Sequence, residues 1–371
     1  MANNDKKNNL VDISSNSQIR KVYNKKGRVK RILCIFFSII FLIGGSGMIY
    51  VYSLLNSLNY KEIKDDPAST TPTVSDNNTG DVSGFTVEDG ELLQDSKVLN
   101  VMLFGEDNHD ADEKGRSDTM IMMSIDNRHK KLKLTSFQRD TYVYIPGHDY
   151  DKINSSYTLG GAKLSIQTIE ANFGIKVDRY AVVDFDSFKK IIETLGGVDI
   201  EISQDEIDYI NYQMYKNGQV ESPKTITDAP GVVHLNGQEA LWYARNRGYE
   251  EEDHPEVVIP GNDFERTSRQ RKLLETILGE FKQADIGQIV QIVSKVGPMI
   301  TTNLKKDEIT TLVANSLTYL GYDFEEYRVP EDDLFEYGWT DDGQSIVVLK
   351  DWTAQRKRLA LFVFESSVQG S

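Results

Sequence analysis

The sequence predicts an α/β fold: a mixed central β-sheet with helices on both faces, preceded by one transmembrane helix. Three features carry this reading: an uncharged apolar run at 32–55, an early pair of strand patterns joined by Asp126-Asn127-Arg128, and an alternation of helical and strand patterns after it. The early pair reads as an antiparallel hairpin, which makes the sheet mixed rather than all-parallel.

The apolar run follows Arg28, Lys30 and Arg31. Roughly 24 residues at about 1.5 Å each give about 36 Å of helix, enough for a hydrocarbon core of about 30 Å. Nine basic residues against Asp5 and Asp12 precede it, so residues 1–31 form a cytoplasmic basic tail and the chain beyond 55 lies outside. A cleaved leader would have an apolar region of only about 7–15 residues, so a retained single-pass anchor at 32–55 is expected. Residues 56–96, rich in Ser, Thr, Asp, Asn, Pro and Gly, read as a flexible extracellular linker.

The folded part opens with a buried-strand pattern at 98–104 that ends at Gly105, and an acidic loop follows. Residues 119–125 and 132–137 are the hairpin strands. Residues 161–173 read as a helix entered through Gly160-Gly161, and 180–183 as a strand. Asp186 then caps a helix with Phe188, Ile191, Ile192 and Leu195 on one face. Gly196-Gly197 stops that helix, and 198–202 return as a strand. Residues 203–232 form a polar helical excursion and loop, before a helix capped by Asn236. A longer helix at 263–281 carries Leu273, Leu274, Ile277, Leu278 and Phe281 on its apolar half. Helices at 286–296 and 306–320, strands at 326–329 and 345–349, and a closing segment from Asp351 complete the chain. Residues 282–371 are expected to pack on the same domain as 97–281.

Formal charge is −15 overall and about −22 beyond residue 31. That balance excludes nucleic acid as a partner of the outer part, and any anionic substrate there needs a local basic pocket. The only cysteine, Cys34, lies in the apolar run, so no intrachain disulfide can form, and an outward domain without disulfides suits a bacterial surface. The five histidines lack metal-ligand spacing, and neither a G-x-S-x-G elbow nor a P-loop is present.

Two groups of residues carry chemistry. Asp107 and Asp118 flank the acidic loop at the ends of two neighbouring strand patterns, where paired carboxylates can share a hard cation such as Mg²⁺. Taken alone, a solvated acidic loop explains them as well. Arg116, Arg139, Arg245, Arg247, Arg266, Arg269 and Arg271 all fall near element ends of an acidic domain. Arg266, Arg269 and Gln270 share a helix face, whereas Arg245 and Arg247 point together only if that stretch is extended. Guanidinium forks bind phosphate oxygens bidentately, so several together suit a pyrophosphate; surface ion pairs with Asp140, Glu239, Asp263 and Glu265 are the alternative.

The strings LNVMLFGED, GRSDTM, TSFQRDTYVYIPG, KINSSYTLGG, DFDSFKKIIETLGGVDI, LNGQEALWYARNR and DFERTSRQRKLL occur in the order of the LytR-CpsA-Psr family, which residues 98–278 resemble. The resemblance makes 97–281 a catalytic domain. It implies transfer of an anionic glycopolymer, teichoic acid or capsular polysaccharide, from a polyprenyl-pyrophosphate carrier to peptidoglycan with release of polyprenyl phosphate. It implies Mg²⁺ on Asp107 and Asp118, and pyrophosphate contacts by Arg116, Arg139, Arg245, Arg247, Arg266, Arg269 and Gln270. Arg139, Asp140, Arg245 and Arg247 are the expected catalytic group. An apolar channel for the lipid is also implied, although Phe185, Phe188, Ile192 and Leu195 read more simply as core. Three positions depart from the family pattern: Gln138 replaces a usual proline, Asn108-His109 stands where an arginine often follows the aspartate, and Glu265 replaces a common glycine. Loss of the proline should cost only turn rigidity. These departures keep open a non-catalytic lipid-pyrophosphate sensor and a polyprenyl-pyrophosphate hydrolase.

Overall fold

The computed structural model describes residues 59–61, 92–107, 115–222, 224–251, 254–259, 261–283, 291 and 294–365. The apolar run at 32–55, most of the expected linker, His109 and most of the helix expected at 286–296 lie outside the described residues. Among those described, no helix is long and apolar enough to cross a membrane.

In chain order the strands and helices are β1 (Asn59–Tyr60), β2 (Val98–Asp107), β3 (Arg116–Asp126), β4 (Lys131–Phe137), β5 (Tyr142–Tyr144), β6 (Tyr150–Lys152), α1 (Ser155–Phe173), β7 (Arg179–Asp184), α2 (Phe185–Leu195), β8 (Val198–Ile202), α3 (Gln204–Lys216), β9 (Gly231–Leu235) and α4 (Gly237–Arg245). There follow β10 (Tyr249–Glu251), β11 (His254–Ile259), α5 (Asp263–Gln283), β12 (Thr301–Thr302), α6 (Lys306–Ala314), α7 (Ser316–Tyr319), β13 (Asp323–Val329), β14 (Phe335–Trp339), β15 (Ser345–Leu349) and α8 (Trp352–Phe364).

Seven strands make the central sheet in the order β1-β12-β7-β2-β3-β4-β13. It is mixed, as the early hairpin requires: β2, β3 and β4 run antiparallel to their neighbours in turn, whereas β7 lies parallel to β2 and β13 parallel to β4. Alternation along the strands buries both faces. Met102, Phe104, Met120 and Met122 join a core under α1 and α8, while Ile121 and Leu134, fully buried, face the other way. The second core gathers α2, α3, α4 and α5 with the antiparallel β8–β9 pair around Ile192, Ile210, Tyr243 and Leu273. Residues 323–329 and 352–364 thus supply an edge strand and a covering helix of the sheet itself.

Several local expectations change. Asp184, not Asp186, caps α2: it is still extended and its Oδ1 accepts the Ser187 N–H at 2.7 Å. Asp186 lies inside the first turn, where negative charge suits the helix N-terminus. The loop expected over 203–232 runs into β9, whose Val233 and Leu235 are buried against β8. Helix α1 begins at Ser155, before the expected start, and breaks at Gly161 (φ 64°, ψ −159°). Strand β14 was not legible as such; Phe335, Tyr337 and Trp339 alternate correctly, but Gly338 interrupts the pattern.

Candidate functional site

The site is built at one end of β2 and β3. Gly105 pairs with Thr119 and Glu106 with Ser117, so Asp118 is the extra residue of a β-bulge and is turned out of the ladder. A side chain at position 105 would sit 2.9 Å from Thr119 Cβ, which explains the glycine. Asp107 and Arg116 pair directly across from each other just beyond the bulge; their side chains lie outside the described residues.

Three arginines from distant segments converge on Asp118. Arg139, in the β4–β5 connection, donates to Oδ1 at 2.9 Å. Arg247 donates to Oδ2 at 2.5 Å, and Arg266 of α5 reaches Oδ2 at 3.3 Å and the Asp118 carbonyl at 3.0 Å. Asp263, at the start of α5, stands beside the same three, with Oδ1 at 2.7 Å from Arg266, 3.2 Å from Arg139 and 3.6 Å from Arg247. None of these three contacts is aligned as a hydrogen bond. Gln138 donates to the other oxygen, Oδ2, at 2.5 Å and receives Thr267 Oγ1 at 3.3 Å.

Burial and charge oppose each other here. Burial pushes the Asp118 carboxyl up, but Arg266, Arg139 and Arg247 outweigh it and hold the group at about 2. At Asp263 burial prevails over the arginines and the carboxyl is raised. Burial draws Arg266 down to about 10, so it remains charged at neutral pH. Arg266 is only 2% exposed, against 21% for Arg139 and 39% for Arg247. Arg266 therefore braces the two aspartates from beneath, and Arg139 and Arg247 present the accessible positive face.

The Arg245/Arg247 pair resolves through backbone geometry. Helix α4 ends at Arg245, and Asn246 is extended (φ −62°, ψ 118°), so both arginines reach one cavity. Gly248 (φ 79°) permits the turn that follows, because a Cβ there would lie 2.6 Å from the Ile259 carbonyl oxygen. Arg245 stacks over Phe185 at 4.5 Å and Trp242 at 5.1 Å. Arg269 and Gln270 serve a different place: Arg269 donates to the Asn246 carbonyl at 2.8 Å and to Glu206 at 2.7 Å, and Gln270 to the Ala244 carbonyl at 3.3 Å. They clamp the segment that carries Arg245 and Arg247. Arg271 points elsewhere, to Glu326 and Ser136.

The cavity has a volume of about 820 Å³, and its wall includes Asp118, Arg139, Arg245, Arg247, Phe185 and Trp242. Such a chamber can bind a multiply charged anion at its cationic side and an apolar or sugar moiety along the aromatic side. Of the residues expected to line a lipid channel, Phe185 borders this cavity, whereas Ile192 is fully buried in the second core with Phe188 and Leu195 packed on it. Asp140, next to Arg139 Nε at 3.3 Å, is also held by Lys152 at 3.2 Å.

Sequence reasoning named Asp263 only as a surface ion-pair partner of the arginines, not as a carboxylate held among three of them, and read Gln138 as a turn residue only. The i,i+3 spacing of Asp263 and Arg266 at a helix start was the available signal. Nothing local announces the burial of Gln138, which is 1% exposed.

A model of the LytR_cpsA_psr family matches residues 49–354. The polyisoprenyl-teichoic acid–peptidoglycan teichoic acid transferase TagV of Bacillus subtilis is 29% identical over 299 residues, covering 79% of this chain and 68% of TagV. The crystal structure of B. subtilis TagV superposes with a TM-score of 0.56 at 27% identity, covering 73% of this chain and 98% of that one. The structure of YwtF (TagT) with bound octaprenyl pyrophosphate lipid gives a TM-score of 0.53 at 24% identity over 72% and 91% of the two chains, a likeness of fold.

Proposed function

The chain belongs to the LytR-CpsA-Psr family, and on that premise we propose that it transfers an anionic glycopolymer, teichoic acid or capsular polysaccharide, from a polyprenyl-pyrophosphate carrier to peptidoglycan. The observation that carries this reading is the convergence of Arg139, Arg245 and Arg247 on one cavity, in a chain whose net charge beyond residue 31 is about −22. A local cationic chamber in an acidic domain selects an anion by contrast.

In the proposed reaction Arg139, Arg245 and Arg247 bind and orient the pyrophosphate, and Arg266 keeps Asp118 and Asp263 in place beneath them. A wall hydroxyl attacks the polymer-linked phosphorus, forming the new P–O bond. The bond from that phosphorus to the bridging oxygen breaks, and polyprenyl phosphate leaves with the electron pair. Asp140 takes the hydroxyl proton. Catalysis of this kind rests on positioning and charge stabilisation, so no protein nucleophile is needed. Arg116, Arg269 and Gln270 complete the proposed pyrophosphate set, the last two through the backbone that they clamp.

Asp118 is the proposed ligand of a divalent ion: its carboxyl stays ionised and lines the cavity, and the ion would take the oxygens that Arg139 and Arg247 now hold, leaving those guanidinium groups to the pyrophosphate. Asp107 on the paired strand is the proposed second ligand. When bound, the ion adds positive charge at the pyrophosphate oxygens. The proposed setting is the cell membrane, with a single anchor at 32–55, a cytoplasmic N-terminus and the enzyme domain outside.

The test uses the full chain in lipid nanodiscs with a synthetic lipid-pyrophosphate glycan and peptidoglycan oligomers. Mass spectrometry should find a covalent glycan–peptidoglycan product and free polyprenyl phosphate, both lost with EDTA and restored by Mg²⁺. Donor binding without product favours a sensor instead, and release of free polymer without acceptor favours a hydrolase.

A further inference from the structure

A second cavity of about 440 Å³ opens on the other side of Arg139. It shares Arg139 and Asn154 with the larger one, so these two residues form a ridge between chambers. Phosphoryl transfer brings the attacking and leaving oxygens roughly into line through phosphorus. A phosphorus held on the ridge, with its lipid phosphate leaving into one chamber, must be attacked from the other.

The smaller chamber has the wrong charge for a second phosphate. Asp140 and Asp151 balance its two cations, Arg139 and Lys152, both of which are already paired with Asp140, at 3.3 and 3.2 Å. Amide and hydroxyl groups of Asn154, Ser155, Thr158 and Gln344, with the side chain of Leu159, complete the wall. Asn154 stands at the N-cap of α1, yet its side chain makes no capping bond. Carboxylate, amide and hydroxyl groups at close spacing match a ligand that both donates and accepts many hydrogen bonds, which is the chemistry of an uncharged polyhydroxyl.

Aromatic rings stand on the strand that pairs with the segment after Gln344. On β14, Phe335, Tyr337 and Trp339 occupy one face. Phe335 stacks on Phe264 at 5.1 Å, beside Asp263, and Tyr337 meets Phe335 edge-on at 5.5 Å. Tyr337 is 66% and Trp339 73% exposed. Trp339 pairs with Ser345, adjacent to the Gln344 that lines the chamber. Tyr150, half exposed and next to Asp151, packs on Tyr142 and Tyr144. Exposed rings beside polar groups suit pyranose sugars, whose C–H faces lie on aromatics while their hydroxyls reach polar partners. The β14–β15 pair is fixed to the catalytic loop, because the Val347 N–H donates to the Asp140 carbonyl at 2.9 Å and Thr141 bridges to Val347.

We infer that the chamber of Asp140, Asp151, Asn154 and Gln344, with the exposed Trp339 of the adjoining β14–β15 pair, is the acceptor site, and that it binds an uncharged glycan strand. The acceptor role rests on the transferase reading; the glycan binding does not. The probe is chitotetraose, titrated by calorimetry against the full chain in nanodiscs, with inorganic pyrophosphate titrated in parallel. Trp339→Ala and Gln344→Ala should each weaken chitotetraose by about tenfold and leave pyrophosphate unchanged. Both should raise KM for peptidoglycan oligomers with KM for the lipid donor unaltered. Circular dichroism checks each variant's fold, and Tyr150→Ala replaces any that fails it. Chitotetraose that does not bind, or binds wild type and variants alike, overturns the site and leaves the transferase reading standing. Binding that is lost in the variants while wild type transfers nothing overturns the acceptor role.

Discussion

Strand β3 carries an aspartate near each end, and the two are set in different surroundings. Asp118 sits on a bulge among Arg139, Arg247 and Arg266 and borders a cavity. Asp126 is fully buried, accepts the backbone N–H groups of Arg128 and His129 at 3.0 Å, and is bonded by His129 Nδ1 at 2.8 Å and Lys133 Nζ at 2.9 Å. Both carboxyls are held below the usual range against the effect of burial, one by guanidinium charge, the other chiefly by hydrogen bonds from His129 and Lys133. The difference lies in what remains after pairing. Around Asp126 the cations Lys131 and Lys133 are outnumbered by Asp126, Glu325 and Glu365, so no positive charge is left over. Around Asp118 the cations Arg139, Arg247, Arg266 and Lys152 exceed Asp118, Asp140 and Asp263 by one, and Arg245 stands on the same cavity. A network with excess positive charge and open space can take an anion; a closed one with no cation to spare locks elements together. Asp126, His129 and Glu365 could geometrically share a metal ion, but Lys133 Nζ already stands between Asp126 and Glu365, at 2.9 and 3.2 Å.

The largest effect that would sharpen this contrast is one of stability. Lys133 is fully buried and also donates to the Val363 carbonyl at 3.0 Å, tying β4 to the end of α8. Lys133→Ala should cost about 3–5 kcal/mol in denaturant unfolding, because Asp126 is left buried with its cation removed. Activity per folded molecule should not change. The pH sign follows from Asp126: with its folded pKa depressed, its stabilising contribution is complete above the unfolded value of about 3.9 and is lost as pH falls through the folded one. Removing Lys133 raises the folded pKa, so acid unfolding of the variant should begin at higher pH. A variant that unfolds like wild type but loses transfer would break the contrast.

At the other end the order reverses. Arg139→Ala should lower kcat for glycan transfer by about 10²–10³-fold, roughly 3–4 kcal/mol in barrier, because the cation on the ridge between the chambers is lost. Thermal unfolding should move far less than for Lys133→Ala, since Arg139 is part exposed and Asp118 retains Arg247 and Arg266. Wild-type transfer by this variant would remove Arg139 from the site.

The same contrast separates what could be read in the sequence from what could not. Strand and helix identities followed from periodicity, and Arg139, Arg245 and Arg247 stood out because they were cations in an acidic chain. Their meeting point was not legible, because a bulge is a property of pairing: Asp118 becomes the unpaired residue only when Gly105 and Glu106 find Thr119 and Ser117. Strand β9 was not read for the same reason, its first two residues falling in the loop expected over 203–232: Val232 and His234 face solvent, and only the partner strand reveals why Val233 and Leu235 do not. Arg269 and Gln270 share a helix face with Arg266, as their spacing requires, yet their side chains end on backbone carbonyls that only the folded chain brings near.

Gln138 gives the smallest and finest test, because it belongs to the site by contact and to the scaffold by burial. Read from sequence, its replacement of the family's usual proline touched only turn rigidity. In the structure its N–H donates to the Val329 carbonyl at 2.8 Å, a bond proline could not make. Its side-chain amide donates to Asp263 Oδ2. Gln138→Ala should cost about 1–2 kcal/mol of stability, the usual penalty for stranding one buried acceptor. Asp263 then loses its only neutral donor among the described contacts and leans on Arg139, Arg247 and Arg266 alone. Turnover should therefore fall only a few-fold, with Gln138→Glu worse than Gln138→Ala because it sets a second carboxylate against Asp263. If Gln138→Ala instead cost as much turnover as Arg139→Ala at unchanged stability, the hydrogen bond to Asp263 would belong to the chemistry rather than to the scaffold.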